Sequence, residues 1–487
     1  MSAATIKKTS WAVLLSSTLL GSVAGAAEVT RVVSALDDDN RFDFNLSLQW
    51  LHQTESSFVK REVQPPPDSA SPLIKDLKYG RNRDVLNLRA DFGILWDVGL
   101  HVVLPIVLAD SSHLDFDQSE GNNCVFPENA AGQPTCVDEV NSTILRDRIL
   151  PVNTDPTTGE ITSWGIDAAH NRPYQIVTDN ATSPPTVIKP TRVFQSPKRS
   201  GLESLDVGIT WAAFNQARDD TKPTWTLNVD ALLDVFKDKR FDPANPGANT
   251  AVGPGYHQFV FSTWVSKRFR YFDPYFGAWY TMPVRTNGSA FSRFPGQTGV
   301  SPQHQAGVTM GVEHIAWENV PAKQRVTVEA RTHVKEMFFG RSQSEIWEPL
   351  AGSSACSASN PGGCRPGIDL DVDGDGSLDT PHPGVSDTEA YAAFGGDVGL
   401  NIQVGRFVRF RGLFGLTGAM PHFLTNAVAG TDRNRNGRID PNDPAIPNNP
   451  ATEVNPVYRE AIDLPGRRFR VEGTKIWTLF LEGSVMF

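Results

Sequence analysis

The feature that most constrains this chain is a period-two alternation of apolar and polar residues that recurs along its length. Phe42, Phe44, Leu46, Leu48 and Trp50 interleave with Asp43, Asn45, Ser47 and Gln49. Leu86, Leu88, Ala90, Phe92 and Ile94 repeat the pattern, and after a turn at Trp96 to Gly99 so do Leu100, Val102, Leu104 and Ile106. It returns at Leu205 to Trp211, Trp225 to Ala231, Phe259 to Phe261 and Tyr275 to Tyr280. Ala306 to Val312, Val326 to Val334, Val398 to Val404, Val408 to Leu416 and Trp477 to Phe487 complete the series. Successive side chains of a strand point to opposite faces, so each segment predicts a strand with one apolar and one polar face.

Twelve such strands are expected, joined alternately by connections of a few residues and of tens of residues. The long ones fall at about 55–82, 111–201, 236–255, 285–302, 338–388 and 420–467. An even strand count with strictly alternating connection lengths is the arithmetic of a closed antiparallel barrel, with short turns at one end and long loops at the other. The polar faces carry Arg89, Asp91, Asp230, Glu329, Arg331, His333, Lys335, Asp397, Arg409, Arg411 and Glu482. Charges at that density are very costly in the dry core of a secreted sandwich unless paired, and cheap in a wet lumen. The fold class expected is therefore all-β, a transmembrane antiparallel β-barrel of about twelve strands, in which closure leaves no unpaired backbone edge in hydrocarbon.

The N-terminus fits that destination. Lys7 and Lys8 precede an apolar run from Trp11 to Val23, then Ala24-Gly25-Ala26 and Ala27. A basic head, a short apolar stretch and small residues form a secretory signal, expected to span 1–26 and leave a barrel domain over 27–487. The apolar run is shorter than the roughly 20 residues of a spanning helix. Cys124 with Cys136 and Cys356 with Cys364 form two close pairs inside Gly-, Pro- and Asn-rich segments, expected in an exported chain to be local disulfides. A formal charge of -10 argues against a nucleic-acid partner.

The last strand, from Trp477 to Phe487, places apolar residues at alternate positions and ends on an aromatic. It resembles the C-terminal signature of Gram-negative outer-membrane proteins that the barrel assembly machinery reads. The resemblance covers general barrel architecture and no particular functional family. It implies a bacterial outer-membrane location, contact with membrane lipid, and the assembly machinery as a partner.

Two loop segments add metal chemistry. Asp371, Asp373, Asp375 and Gly376 precede Ser377 and Asp379; Asp432, Asn434, Asn436 and Gly437 precede Arg438, Asp440 and Asp443. Alternate oxygen ligands can turn inward around one ion, with glycine permitting the sharp turn between them. The segments resemble the loops of EF-hands, dockerins and thrombospondin-type repeats, which implies calcium as a cofactor of the external loops. The second loop has Asp443 where EF-hands place a bidentate Glu, and the first has His382, leaving Asp387, Glu389 or water to complete its shell.

An embedded hydrolase is disfavoured, because His333 lies beside Glu329 and Arg331 without a nucleophile signature such as GxSxG. The leading expectation is a narrow, non-enzymatic pore or transporter for small solutes, porin-like in kind, with loops stiffened by disulfides and calcium. The competing one is a structural or adhesive barrel, or a subunit of an envelope complex, that acts through its loops. The connection 111–201 is long enough either to fold into the barrel mouth or to stand outside it, and the residues leave both open.

Overall fold

The computed structural model describes residues 27–36, 43–63, 73–118, 124–128, 134–137, 142–294, 296–354, 369–371, 378, 380–439 and 453–487. Twelve strands close on themselves: β1 (Phe44–Glu62), β2 (Leu73–Leu95), β3 (Val98–Phe116), β4 (Leu205–Phe214), β5 (Thr224–Leu233), β6 (Tyr256–Ser266), β7 (Phe272–Arg285), β8 (Gln305–Asn319), β9 (Gln324–Met337), β10 (Tyr391–Val404), β11 (Val408–Ala419) and β12 (Phe469–Met486). Each pairs antiparallel with its sequence neighbours, and β12 pairs with β1 over Asn45↔Met486 to Arg61↔Phe469. Phe487 finishes that seam: its N–H donates to the Phe44 carbonyl (2.8 Å) and its ring stacks on Phe44.

The outward face is what a lipid-facing wall requires. Leu48, Leu88, Ile209, Val229, Phe261, Met310, Val328, Val398, Phe414 and Leu481 are all exposed and come from different strands around the ring. An apolar surface of that extent has no stable place in water. At the short-turn end Trp96, Trp211, Phe269, Tyr271, Trp317, Phe407 and Phe487 are also exposed, forming the aromatic girdle of a membrane interface. A closed barrel with such a belt is the architecture of the bacterial outer membrane, and the chain belongs there. Its short turns face the periplasm and its long loops the exterior.

Inside, bulk is matched by glycine. A Cβ on Gly277 would lie 2.2 Å from the Trp264 ring, one on Gly307 2.6 Å from Trp279, and one on Gly311 2.5 Å from Tyr275. The Trp264, Trp279 and Tyr275 rings of β6 and β7 therefore occupy the space left by a glycine on the next strand.

Two expected loop boundaries are corrected. The segment expected as a 55–82 loop is mostly strand, since β1 runs to Glu62 and β2 starts at Leu73, with Thr54↔Asn82 and Ser56↔Gly80 paired. Likewise β3 continues to Phe116, inside the expected 111–201 loop. A spanning strand needs about 9–11 residues, whereas β2 has 23. The outer halves rise above the lipid, where no apolar outward face is needed, so the alternation that marks a strand lapses while the ladder continues.

Above the lipid the inward polarity reverses. Val59, Leu77, Leu114, Phe116, Phe469 and Val471 are buried with Ile144, Leu145, Ile149, Leu150, Trp164 and Phe194 in one cluster. Part of the described 111–201 connection thus folds into the barrel mouth, while Val177, Val187 and Ile188 stand exposed. Its helix α1 (Thr143–Arg146) is pinned by the buried Arg61, which pairs with Asp147 (2.6 Å) and donates to the Thr143 carbonyl (3.0 Å). Asp76 accepts from the Thr143 N–H (3.2 Å) and the Ser142 hydroxyl at the same helix start. The helices α2 (Trp347–Gly352) and α3 (Glu460–Asp463) complete this cap through Trp347, Leu350 and Ile462.

Candidate functional site

Three tiers fill the lumen. The lowest, at the short-turn end, is the chain's own segment 27–36. A short helical turn at Glu28–Thr30 enters the barrel, where the Thr30 hydroxyl meets Ser266 Oγ (2.7 Å) and the Glu28 N–H donates to Glu313 Oε1 (2.8 Å). Glu28 forms an ion pair with Arg409, and the Ala35 N–H donates to the Leu95 carbonyl (3.2 Å). The barrel wall is shaped for this segment. A Cβ on Gly93 would stand 2.0 Å from the Ser34 carbonyl oxygen, and one on Gly99 2.6 Å from Val33. Only bare backbone at these two positions lets the segment lie against β2 and β3. Sequence reading missed this plug, because strand glycines such as Gly93 and Gly99 do not by themselves mark a seat.

The middle tier surrounds a cavity of about 360 Å3 lined by Gln49, Arg89, Asp91, His101, Asp230, Trp264, Arg331, Arg411 and Glu482, with the plug residues Glu28 and Arg31. The inward charges read from the sequence meet here in pairs. Arg411 binds Glu329 (2.8 Å), Arg331 binds Asp397 (2.8 Å), Arg89 binds Asp91 (2.7 Å) and His101 meets Asp230 (2.6 Å). The Tyr275 hydroxyl donates to Glu329 (2.6 Å), whose side chain is wholly buried. Arg409 pairs with the plug, so it sits lower than Arg411, two residues along the same strand. Lys335 sits higher, on the side of Glu55. His333 bridges Thr417 Oγ1 (3.0 Å) and Asp397 (3.4 Å), a hydroxyl–imidazole–carboxylate chain. Asp397 gives its shorter contact to Arg331, so the imidazole is tied into the wall.

The upper tier is a chamber of about 310 Å3 under the cap, lined by Glu55, Tyr79, Arg81, Arg83, Asp110, Arg199, Glu203, Lys239, Tyr256, Glu345, Trp347 and Glu348 among others. Arg81 makes a two-pronged bond to Asp110 (2.8 and 2.7 Å), Arg83 binds Glu203 (2.6 Å), and the buried Arg199 binds Glu348 (2.6 Å). Lys239 lies over the Trp347 ring (5.0 Å), and desolvation draws its ammonium down to about 8. Glu345 is pushed up to about 7, by burial first and then by the facing carboxylate of Glu55. In the cap above, burial raises Asp387 to about 6 and Asp463 to about 7. Burial also lowers His382 to about 3, so it is neutral there.

Part of the loop chemistry lies outside the described residues: Asp373, Asp375, Ser377, Asp379, Asp440, Asp443, Cys356 and Cys364. Asp371 is described, at the edge of the cap. In the second acidic loop Asp432 accepts from the Asn436 and Gly437 N–H groups (3.1 and 2.8 Å), Asn434 from Asn436 (2.8 Å), and Asn436 from Arg438 (2.8 Å). Gly437 takes the left-handed conformation (φ 83°). Among the described residues no group of three His, Cys, Asp or Glu side chains converges on a metal position. Cys124 and Cys136 are directly opposite in a short antiparallel pair.

No family model and no curated protein matches the chain. An outer-membrane channel from Pseudomonas putida F1 aligns over 91% of this chain and 95% of its own, at 8% identity and a TM-score of 0.36. A Pseudomonas aeruginosa FadL homologue aligns over 92% and 90%, at 8% identity and 0.29. The outer-membrane protease OmpT from Escherichia coli aligns over 94% and 100%, at 7% identity and 0.27. These similarities extend to overall barrel form only.

Two expectations follow from this geometry. Glu329→Gln strands the Arg411 guanidinium in the wall and should cost on the order of 2–4 kcal/mol in urea unfolding of the refolded barrel. Adding Arg411→Met should restore more than half of that loss, whereas simple additivity would mean that the pair is not coupled. The second concerns pH. An acid whose folded pKa is raised binds more protons folded than unfolded, so its contribution is full at low pH and fades as pH climbs to the raised value. Glu345 and Asp463 therefore loosen the cap as pH rises towards about 7. His382, with its value lowered, acts oppositely but only between about 3 and 6.5. Thiol labelling of an Ala351→Cys variant, normalised to a free thiol, should rise several-fold between pH 6 and pH 8; a flat profile would refute the linkage.

Proposed function

We propose that this chain is a narrow outer-membrane pore for small polar solutes, held closed in this state by residues 27–36 at its periplasmic end. The observation that carries the reading is the pair of polar chambers, about 310 and 360 Å3, stacked inside one closed barrel. Their walls present both signs of charge, many of them paired, so the lumen stays hydrated without strong preference for anions or cations. The plug is held by hydrogen bonds and an ion pair and not by a continuous strand ladder, and its Glu28–Arg409 pair adjoins the middle chamber. Displacing a segment of this size is a modest rearrangement compared with unfolding a strand. On this reading the protein works as a conduit, with no catalytic step.

Calcium and disulfides belong to this proposal as stiffeners of the outer loops. Asp432, Asn434 and Asn436 are preorganised by backbone N–H groups, with Asp440 and Asp443 as further donors, and Asp371, Asp373, Asp375, Ser377 and Asp379 form the other candidate loop. Cys124–Cys136 and Cys356–Cys364 are the proposed bridges, the first supported by its opposed backbone positions. A second reading, a structural or adhesive barrel, is favoured by one observation: the outer loops fold into a cap with its own apolar core.

Single-channel recording in planar bilayers separates the readings. The full-length barrel should give rare or small openings. Gly93→Val, which removes the seat of the plug, should give stable steps of several-fold higher occupancy. Silence from both, with insertion verified by heat-modifiable gel migration, would refute the pore and favour the adhesive barrel. Chelating calcium, or Asp432→Ala, should change the steps if the acidic loops hold the ion; unchanged traces would remove calcium from the account.

A further inference from the structure

We infer that the α-amino group created by cleavage before Ala27 is itself a ligand of this barrel, an ammonium that docks in an anionic socket formed by Ser266, Asp273 and Glu313 and locks the plug in place. The inference rests on the plug geometry and on the expected cleavage, and not on whether the barrel conducts.

The socket is unusual in its charge. Asp273 on β7 and Glu313 on β8 are register partners, both inward and each only 2% exposed. Like charges directly opposite one another on adjacent strands are destabilising. Buried carboxylates normally have a cation beside them. Among the described residues neither has a Lys, Arg or His within 4.0 Å. Arg268 pairs with Glu318 (2.5 Å) and Arg409 with Glu28, while Arg325 and Arg268 act on Asp273 only from beyond pairing distance. The next carboxylate in the row, Glu329 opposite Glu313, is matched by Arg411. Asp273 and Glu313 are therefore short of a positive charge, and Asp273 Oδ1 has no hydrogen-bond partner.

Ala27 supplies what is missing. It is fully buried, and its nitrogen lies 3.4 Å from Ser266 Oγ, a hydroxyl close enough to Asp273 to act on its carboxylate. The next residue's N–H already donates to Glu313 (2.8 Å). Hydrolysis of the 26–27 peptide bond consumes one water and leaves a carboxylate on residue 26 and an ammonium on Ala27. One amide donor becomes three, and a positive charge arrives beside two carboxylates that lack one. The small residues Ala24-Gly25-Ala26 mark cleavage at this same bond from sequence alone. The two observations are independent and converge on one atom. Processing then does more than release the chain, because an unprocessed or N-acylated chain lacks the charge that seats the plug.

The test is amine labelling of mature barrel extracted from outer membranes. Intact mass should place the N-terminus at Ala27. A free α-amine, with a pKa of about 8 against about 10.4 for lysine, is the more reactive towards an acylating ester near neutrality. In the folded barrel it should nevertheless be acylated at least tenfold more slowly than exposed Lys222, and in urea faster than Lys222. Asp273→Asn with Glu313→Gln should abolish the protection while heat-modifiable migration reports a folded barrel. If that variant does not fold, the wild-type labelling still decides. A mature N-terminus elsewhere, or an α-amine as reactive as Lys222 in the folded protein, overturns the inference. Protection in a barrel that never conducts would remove the pore reading and leave this one standing.

Discussion

In hydrocarbon an unpaired backbone N–H or carbonyl costs several kcal/mol, and one open strand edge would expose a row of them. The seam between β12 and β1, finished by the paired backbones of Phe44 and Phe487, is where this chain meets that constraint. Closure then dictates the rest. With apolar side chains turned to lipid, alternation forces every other residue inward. The lumen is accordingly polar along the membrane-spanning depth, and most of its charges are paired across neighbouring strands.

The interior shows how such a lumen is held at fixed width. Inward rings lie over glycines, as Trp264 does on Gly277, and long cations are tied to the carboxylates of neighbouring strands, as Arg411 is to Glu329. Among the described residues the large apolar cluster lies outside the lipid, where the inward faces of β1, β2, β3 and β12 turn apolar and receive the loops. The polarity of this molecule is inverted twice along its axis. Within the lipid its dry side is outside, and above the lipid its dry side is inside. That second inversion is why part of the long 111–201 connection folds into the mouth and helps to roof a charged chamber.

Much of this was legible in the residues. Strand number, closure, and the inward direction of Arg89, Glu329, Arg331 and Arg411 all follow from period two, because lipid on one side and water on the other give alternation its cleanest form. The outer chamber was not legible. Arg81 lies inside the segment expected as a 55–82 loop, and Arg83 and Asp110 border the expected loops, where the strands continue without an apolar face and the pattern fades. The plug was hidden for a different reason. Residues 27–36 have no periodicity, and their seat is an absence of side chain at Gly93 and Gly99, which in sequence is indistinguishable from any strand glycine. The acidic loops were conspicuous as motifs, yet half of their ligand positions lie outside the described residues, so motif and geometry meet only at Asp371, Asp432, Asn434, Asn436 and Arg438.

The closed state of the barrel depends on residues 27–36 occupying the lumen. Hydrogen–deuterium exchange of the N-terminal peptide in the folded barrel tests this directly. If Glu28 is bonded to Glu313 and Ala35 to Leu95, as placed here, their amides should exchange at least about a hundredfold more slowly than in an unstructured chain. Exchange of the whole segment at the unstructured rate would contradict the account, leaving the barrel open at its periplasmic end.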